Sequence, residues 1–600
     1  MIIANILLLL FYVYFYTTFF SERIDLTFLK CMKCWSVFVI ACALIKTGRY
    51  FEWDLGGNYY YFWPLLYIAI FIVIALNLNN SKKLYTNSKL FADEQFAKQF
   101  SKRKACKINI NGEIRNCLSL APKECIEFSN SEESYCKFGF GITKKSVIFN
   151  KAFKLDFFTE DSSCKQISSR CIIPGDFAEG WHDLSISSNH DIHTQKIKIT
   201  NTNKLRNIIS VRQSSIEQED FKYVIVIVID GISPDLLGLY NDSSGMTPNI
   251  DKFFSNSGST GYSNAFSQAE WTLPTFASMM TSLYSSQHRV YDPNKYTNVL
   301  PKELELLPEV MQKNGFATFG YVSHTRCGPR YGYFRGFNEF VYRQVGIRDK
   351  HSYQDITKRA VTFLQENQHE NKFAFLHYFD THAPFFPSLD SRVKYGDDND
   401  KLLAIKLSEV DQNLQCIFEV LEKNGALKNS MVILTSDHGP GALGQPDDLK
   451  VDIREANTRI PFWVYCPWKP RSLVIDDVMV EASIDILPTI FDALGLTIPD
   501  HAEGRSVFAD KNLRKKYVIS ESIFKNKYEL VQRFPSYKNY IRLSRNRKKN
   551  KIRLNKNIYD DIQSVDSDGQ LGKEILDSKK QLAELWITKF NNSNLHLPVI

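Results

Sequence analysis

The chain has 600 residues, of which 44% are hydrophobic and 23% charged, and its formal net charge is +8. These proportions exclude an intrinsically disordered chain, and the length predicts two or more folded units rather than one hydrophobic core. Much of the charge lies in the basic run at residues 542–556, which is typical of a solvated surface, so no nucleic-acid partner is expected.

The first 80 residues predict a membrane anchor. Residues 2–20 are almost entirely apolar, and residues 59–78 form a second apolar run long enough to cross a hydrocarbon core of about 30 Å. Residues 35–45 form a third, shorter run. Segment 1–80 is therefore predicted to hold two or three transmembrane helices, which makes the protein integral to a membrane. The polar, lysine-rich residues 81–104 are interpreted as a linker.

Two features conflict over the side of the membrane that holds the rest of the chain. Lys82, Lys83 and Lys89 follow the last apolar run, which favours a cytoplasmic position by the positive-inside rule. Six cysteines lie between Cys106 and Cys171, and an even, clustered set favours disulfides and an oxidising compartment. A zinc site is the alternative, although the cluster has no CxxC pair. We expect an extracytoplasmic or lumenal domain, with the cytoplasmic orientation as the alternative.

The next segment, residues 105–215, predicts a small cysteine-rich domain of the β-sandwich type. Short alternating apolar runs, such as residues 184–188 and 197–200, are separated by Gly, Asn, Asp and Ser. No residue in this segment suggests catalysis.

Residues 216–512 predict an α/β domain. The apolar run Tyr223–Ile229 is typical of a strand buried on both faces of a parallel sheet. Strands and helices then alternate, which indicates a mostly parallel sheet with helices on both faces. Strands are predicted at 317–322, 373–379, 431–436 and 460–466, and helices at 247–257, 307–314, 353–367, 402–423 and 483–494. Residues 513–600 predict a C-terminal α+β subdomain, with strands at 517–522, 528–532 and 540–544 and a helix at 573–589.

Polar residues follow three of the predicted strands. Asp230 ends the first, Asp380 and His382 follow the strand at 373–379, and Asp437 and His438 follow the strand at 431–436. Ligands of open α/β sheets gather outside the carboxyl ends of the strands. These side chains are therefore candidates for a site.

Thr272 is interpreted as a nucleophile. It opens a predicted helix as its N-cap, with Pro274 in the first turn, and a helix N-terminus stabilises a phosphate or sulfate. A threonine hydroxyl needs a base or a metal to activate it. Asp230, Asp437 and His438 could hold one divalent metal ion together with Thr272, which would lower the hydroxyl pKa and screen an anionic substrate. Mixed oxygen and nitrogen ligands suit Mn²⁺, Zn²⁺, Mg²⁺ or Ca²⁺, with the single histidine weighing against Ca²⁺.

Eight short motifs between residues 221 and 510 resemble, in order and spacing, the sulfatase family of the alkaline-phosphatase superfamily. Each motif alone is weak, and the ordered set is specific. The motifs are IVIDG at 227–231, TPNID at 247–251, TLPTFASMMTSLY at 272–284 with His288, FDTHAPF at 379–385, TSDHG at 435–439, RIP at 459–461, DILPT at 485–489 and GRS at 504–506.

Two departures from the family pattern refine the resemblance. Sulfatases carry a cysteine or serine that becomes formylglycine within C-x-P-S-R, whereas the equivalent positions here are Thr272, Pro274, Thr275 and Phe276. Threonine cannot give that aldehyde. Gly231 also stands where the family often shows a second aspartate. In both respects the chain is similar to lipoteichoic-acid synthases and phosphoethanolamine transferases, which are membrane-anchored and use a threonine nucleophile with a metal held by a carboxylate, the threonine and an Asp-His pair.

The resemblance implies a membrane-anchored, sulfatase-like, metal-dependent hydrolase that acts on anionic sulfate or phosphate esters through Thr272. It implies that His382 contacts the sulfate or phosphate oxygens, with His324, His288 and Lys450 as secondary candidates for the same anion pocket. Two alternatives stay open. A phosphoryl-group transferase that modifies a lipid or surface polymer would depend on an acceptor alcohol, and a catalytically inactive sulfatase-like protein would act by binding.

Overall fold

The computed structural model describes nine strands between residues 105 and 213 and most of residues 221–555. Residues 1–104, 214–220, 442–454 and 556–600, with shorter stretches between elements, are outside the described part. The predicted membrane segments, the linker, the predicted helix at 573–589 and Lys450 therefore lie outside the described residues. Within the described part, no helix is both long and apolar enough to cross a membrane.

The elements are numbered in chain order. The strands are β1 (Ala105–Ile110), β2 (Glu113–Leu120), β3 (Cys125–Asn130), β4 (Cys136–Ile142), β5 (Phe153–Phe158), β6 (Gln166–Ile172), β7 (Gly180–Ile186), β8 (Gln195–Thr200), β9 (Asn207–Gln213), β10 (Tyr223–Ile229), β11 (Ser259–Phe266), β12 (Ala317–Val322), β13 (Glu339–Tyr342), β14 (Lys372–Tyr378), β15 (Ser430–Thr435), β16 (Phe462–Tyr465), β17 (Val474–Glu481), β18 (Val518–Phe524), β19 (Lys527–Arg533), β20 (Lys538–Asn546) and β21 (Lys551–Asn555). The α-helices are α1 (Pro248–Phe254), α2 (Thr272–Thr281), α3 (Ser285–His288), α4 (Leu307–Lys313), α5 (Ser352–Gln365), α6 (Leu389–Tyr395), α7 (Leu402–Lys423), α8 (Glu455–Thr458) and α9 (Ala482–Leu494). Short 3₁₀ helices span Pro234–Leu236, Thr325–Cys327, Pro329–Tyr331 and Leu427–Asn429.

Among the described strands, 13 form one mixed sheet. Its order is β17-β11-β16-β15-β10-β14-β12-β13-β2-β9-β4-β7, with β1 paired to β2. The central strands β15, β10, β14, β12 and β13 are mutually parallel, whereas β16 runs antiparallel to both of its neighbours. The predicted α/β sheet with helices is confirmed in this central part.

Strand β10 shows how the sheet is covered on both faces. All seven of its residues are buried. Val224, Val226 and Val228 belong to a core cluster with helices α2, α4 and α9, whereas the alternate residues from Tyr223 to Ile229 belong to a second cluster with α1, α5 and α7. Burying each aliphatic side chain stabilises the fold by about 1.5–3 kcal/mol. The continuous apolar run therefore reflects a strand between two helical layers.

The helix boundaries follow local chemistry. Helix α7 begins and ends at the predicted residues, and α1 is shorter than predicted because Pro248, which has no N–H to leave unpaired, begins it and Ser255 already lies past its end.

The β-rich segment differs from its predicted form as a separate sandwich-like domain. Strand β2 pairs with β13, with Ile114 opposite Phe340, so β2, β9, β4 and β7 continue the large sheet. The remaining pairs, β3 with β8 and β5 with β6, form two-stranded sheets. A pairing between strands so distant in sequence leaves no local pattern in either one. The register of β1 and β2 places Cys106 opposite Cys117, and the disulfides of the cysteine cluster stay a prediction.

The C-terminal strands β18 to β21 form an antiparallel sheet, as expected for this segment. Strand β18 contacts the segment 267–270, which leads into α2. Residues Ser520–Ser522 each donate one hydrogen bond to this segment, at 2.6, 2.8 and 2.5 Å. The entry to α2 is thus held in place by a sheet from the far end of the chain.

Candidate active site

Three adjacent strands bring Asp230, His377 and Asp437 together at the carboxyl edge of the sheet. Val228 of β10 lies opposite His377 of β14 on one side and opposite Thr435 of β15 on the other. Asp230 comes two residues after Val228, and Asp437 two residues after Thr435. All three polar side chains have 0% exposure.

Gly231 fixes the position of Asp437. Its φ of +64° is in the left-handed region that favours glycine. In this conformation its N–H donates to Asp437 Oδ1 at 3.2 Å, and the N–H of His438 donates to the same oxygen at 3.0 Å. The turn therefore connects the ends of β10 and β15 through one carboxylate oxygen.

Thr272 is the first residue of α2, and Trp271, in an extended conformation, precedes the helix. The prediction that Thr272 is the N-cap is wrong by one residue, because the chain enters the helix at Thr272 itself. Its Oγ1 lies 3.4 Å from Asp230 Oδ2 and 3.3 Å from His438 Nε2, and the residue is 3% exposed. The structure therefore brings together all four predicted metal ligands.

His438 presents one nitrogen to this cluster. Its Nδ1 lies 2.8 Å from the carbonyl oxygen of Gly439, which only accepts, so Nδ1 carries the proton and Nε2 keeps a lone pair. Nε2 lies 3.5 Å from Asp437 Oδ2 and 3.8 Å from Asp230 Oδ1. Burial opposes the imidazolium, but the two carboxylates outweigh burial and raise the pKa of His438.

The two aspartates differ in how well the protein accommodates their charge. Burial, followed by the nearby Asp437, raises the pKa of Asp230. Burial also opposes the charge of Asp437, but the imidazoles of His438 and His377 lower its pKa below the usual range. Asp437 is therefore the better stabilised carboxylate, and the pair concentrates negative charge in a dry pocket.

The chemistry of the pocket fits a divalent cation. Asp230 Oδ1, Asp437 Oδ2 and both ring nitrogens of His377 are buried without a hydrogen-bond partner in the described part of the chain. One ligand atom each from Asp230, His377 and Asp437 lies within 4.8 Å of the others. Buried acceptors without donors cost about 1–3 kcal/mol each, and a cation satisfies several of them together.

His377 is a further member of the cluster that was not predicted from the sequence. It is the only histidine in the otherwise aliphatic and aromatic run Phe373–Phe379, and an imidazole in a fully buried strand is the signal that could have identified it. Asp380, which follows the same strand, accepts from Ser352 Oγ at 2.6 Å and takes no part in the cluster's contacts described above.

His382 and His324 form an aromatic group with Phe379. The rings of His324 and Phe379 stack at 4.2 Å, and the His382 ring lies 4.7 Å from Phe379 and 5.8 Å from His324. His382 Nδ1 donates to the carbonyl of Ala383 at 2.6 Å, which leaves Nε2 as its second polar atom. Burial, together with the nearby His377 and His382, lowers the pKa of His324 well below its usual value. His324 is therefore neutral at pH 7.

His288 has a different environment from that expected for an anion-pocket residue. It is 2% exposed, its Nε2 lies 3.2 Å from Ser278 Oγ, and its Nδ1 accepts from the N–H of Val290 at 3.0 Å. Both nitrogens are used within the protein, so these contacts give His288 a structural role. Burial lowers its pKa to about 3.

This buried neutral imidazole is expected to make the fold sensitive to acid. The pKa of His288 is about 3 in the native state and 6.5 in the unfolded chain, so only the unfolded chain gains a proton as the pH falls below 6.5. Native stability from His288 is full above pH 6.5 and decreases towards pH 3. Lowering the pH from 7.5 to 5.5 should remove about 1.4 kcal/mol through this residue. Urea unfolding gives the free energy of unfolding at pH 7.5 and at pH 5.5 for both proteins. The loss of this free energy between the two pH values should be smaller in His288→Gln than in the wild type by this amount. An equal loss in both proteins would contradict the assignment.

The part of the chain that contains this site is similar in sequence to known proteins. Residues 222–496 match the family model described as Sulfatase. The chain is 29% identical over 125 residues to bovine (Bos taurus) arylsulfatase K, covering 19% of this chain and 23% of the relative. It is 34% identical over 125 residues to an endo-4-O-sulfatase of Bacteroides thetaiotaomicron, covering 20% of this chain and 24% of the relative. The matches thus span about a quarter of the length of these relatives.

Solved structures show the same fold. The sulfatase candidate yidJ of Bacteroides fragilis superposes with a TM-score of 0.51 at 15% sequence identity, covering 64% of this chain and 98% of that one. The described strand order, the two helical layers and the family match agree with one another. The chain therefore carries a domain of the sulfatase family at residues 222–496.

Proposed function

We propose that this protein is a metal-dependent hydrolase of sulfate or phosphate esters in which Thr272 is the nucleophile. The observation that carries the proposal is the position of Thr272 Oγ1, 3.4 Å from Asp230 Oδ2 and 3.3 Å from His438 Nε2. The carboxylate offers an acceptor for the hydroxyl proton, and the nearby imidazole offers a metal ligand; an adjacent base or a metal is what activates a nucleophilic threonine.

The cation would be held by Asp230, Thr272, Asp437 and His438. When bound, it lowers the pKa of a hydroxyl and neutralises part of the substrate's negative charge. This role agrees with the buried carboxylate oxygens that lack a hydrogen-bond donor within the described residues.

In the proposed reaction, Thr272 Oγ1 attacks the sulfur or phosphorus atom of the ester. The hydroxyl proton moves to Asp230 Oδ2, which lies 3.4 Å from Oγ1. The bond to the leaving oxygen breaks, and that oxygen takes up this proton and leaves as an alcohol. The first turn of α2 begins at the attacking residue, so its backbone N–H groups face developing negative charge. Water then cleaves the threonine ester and restores the hydroxyl.

We assign the sulfate or phosphate oxygens to the side of the cluster where His382 and His324 lie. The rings of His324 and His382 pack against Phe379, which limits how far either histidine can turn. His324 is neutral, so it would contact an anion as a hydrogen-bond donor and not as a charge. Lys450 lies outside the described residues and stays a prediction.

The membrane anchor in residues 1–80 and an extracytoplasmic or lumenal position are part of this proposal. Their support is the apolar runs at 2–20 and 59–78 and the cysteines that follow them. The functional experiments therefore use the full-length protein in detergent.

The test is turnover of 4-nitrophenyl sulfate and 4-nitrophenyl phosphate by the full-length protein, with and without prior removal of metal by a chelator. We expect turnover that is lost with the metal and restored when a divalent ion is returned. The names of the sulfatase relatives favour the sulfate ester, whereas a threonine in place of the formylglycine precursor favours the phosphate ester. The ratio of the two rates decides between them. A rate that rises with an added acceptor alcohol would indicate a transferase, and a metal-loaded protein without turnover would indicate a binding protein.

A further inference from the structure

His377 is a fully buried histidine whose ring nitrogens have no hydrogen-bond partner among the described residues. Buried polar side chains in native proteins are almost always hydrogen-bonded, because each unpaired group loses its contacts with water and gains none in return. An imidazole in this state therefore requires an explanation.

A purely structural role does not explain it. His288, an equally buried histidine of the same domain, contacts Ser278 Oγ through one nitrogen and the N–H of Val290 through the other. His377 shows neither kind of contact. Its Nε2 instead lies beyond hydrogen-bonding distance from two carboxylate oxygens, at 3.6 Å from Asp230 Oδ2 and 3.8 Å from Asp437 Oδ2.

These distances suit atoms that share one ion. Ligand bonds of about 2.1 Å place neighbouring donor atoms about 3.0–3.6 Å apart in a centre with four or five ligands. The contacts of Thr272 Oγ1 and His438 Nε2 with the carboxylates and with each other fall between 3.3 and 3.8 Å as well. The ring of His377 is packed edge-on against Phe276, with centroids 5.9 Å apart at 88°, and its strand is central in the sheet. The orientation of the His377 imidazole is therefore fixed by its packing in the core.

We propose that Nε2 of His377 is a further ligand of the cation, so that the centre has two imidazoles and two carboxylates and selects Zn²⁺ over Ca²⁺ and Mg²⁺. Imidazole nitrogen suits Zn²⁺ and other late transition metals, whereas Ca²⁺ and Mg²⁺ prefer oxygen ligands. This inference rests on the proposed function only in placing a cation at this site. Of the four candidate ions, Mn²⁺, Zn²⁺, Mg²⁺ and Ca²⁺, it favours Zn²⁺.

The test compares ion binding by full-length wild-type protein, His377→Phe and His288→Phe after metal removal. The two variants carry the same change at two buried histidines, and a chromophoric chelator competes for Zn²⁺ and, separately, Ca²⁺. We expect His377→Phe to bind Zn²⁺ at least about 100-fold more weakly, to lose most of the preference for Zn²⁺ over Ca²⁺, and to change the visible spectrum of bound Co²⁺. His288→Phe should match the wild type in all three. Equal Zn²⁺ affinity and an equal Co²⁺ spectrum in wild type and His377→Phe would overturn the proposal.

A second measurement needs no variant and so does not depend on whether His377→Phe folds. X-ray absorption of the zinc-loaded wild-type protein counts imidazole ligands; two support the proposal and one overturns it. Failure here is distinguishable from failure of the proposed function, because turnover that depends on Thr272 can coexist with a one-imidazole centre. Conversely, a two-imidazole centre in a protein without turnover would leave this inference in place and remove the enzymatic one.

Discussion

The Thr272→Ala protein is expected to lose ester turnover by at least about 1,000-fold while keeping its fold and most of its metal. The change removes the oxygen that forms the covalent intermediate and leaves Asp230, Asp437 and His438 in place. The lost methyl and hydroxyl contacts are small, so we expect unchanged circular dichroism. Divalent metal is supplied in excess to offset the lost hydroxyl ligand, so that the site stays occupied in the variant. Thr272→Ser keeps a hydroxyl at the same position and should retain measurable turnover.

Thr281 provides a matched control at the other end of the same helix. It is also fully buried, and its hydroxyl donates to the carbonyl of Ala277 at 2.7 Å. The same hydroxyl accepts from the N–H of Leu283 at 3.3 Å. Thr281→Ala therefore removes two local hydrogen bonds, which costs about 1–3 kcal/mol of stability, and should leave the turnover within about threefold of the wild type. If Thr272→Ala turned over esters as fast as Thr281→Ala does, Thr272 would not be the nucleophile.

The Asp230→Asn protein is expected to lose turnover and metal binding and yet, without metal, to be more stable than the wild type. The pKa of Asp230 is raised by burial and by the nearby Asp437, so its contribution to stability is present below the unfolded pKa of 3.8 and is lost as the pH rises through its native value. At pH 8 the charged form is therefore unfavourable, and a neutral amide removes the repulsion. We expect the thermal midpoint of the metal-free protein to rise by about 3–6 °C.

Asp437→Asn is expected to have the opposite effect on the thermal midpoint of the metal-free protein. Asp437 Oδ1 accepts two backbone N–H groups, and the pKa of this carboxyl is lowered, so the native state stabilises its charge. Asp437→Asn should lower the metal-free midpoint, although it also abolishes turnover. Addition of Zn²⁺ should raise the midpoint of the wild type but of neither variant. A fall in the midpoint of metal-free Asp230→Asn would show that repulsion between the two carboxylates is not significant.

Much of the site was predictable from the sequence because strand ends and helix starts have local signals. The β-branched run of β10 is followed by Asp230, and β15 is followed by Asp437 and His438. Parallel neighbours bring their carboxyl ends to one edge, so these residues had to be considered together. The position of Thr272 was predicted to within one residue by the same kind of signal, the start of a helix.

The remaining features depend on contacts between residues far apart in the chain. His377 stands out as a polar residue in an apolar strand, but only the register shows that it lies beside Val228, next to both aspartates. His288 lies within a family-like motif, and only its two internal hydrogen bonds distinguish it from an anion ligand. The pairing of β2 with β13 had no signal in either strand.

The hydrogen bonds from β18 to residues 267–270 limit how far the chain can be shortened from its C-terminus without disturbing the candidate site. The match to the family stops at residue 496, which suggests a natural place to shorten the chain. A chain ending there would remove the donors that Ser520–Ser522 supply to the segment before Thr272, including the bond to the buried carboxylate of Glu270. A premature stop codon beyond the last recognisable motif could therefore abolish activity as completely as a change at the nucleophile. In this chain the residues that hold the candidate site in place extend beyond the sequence that matches the family.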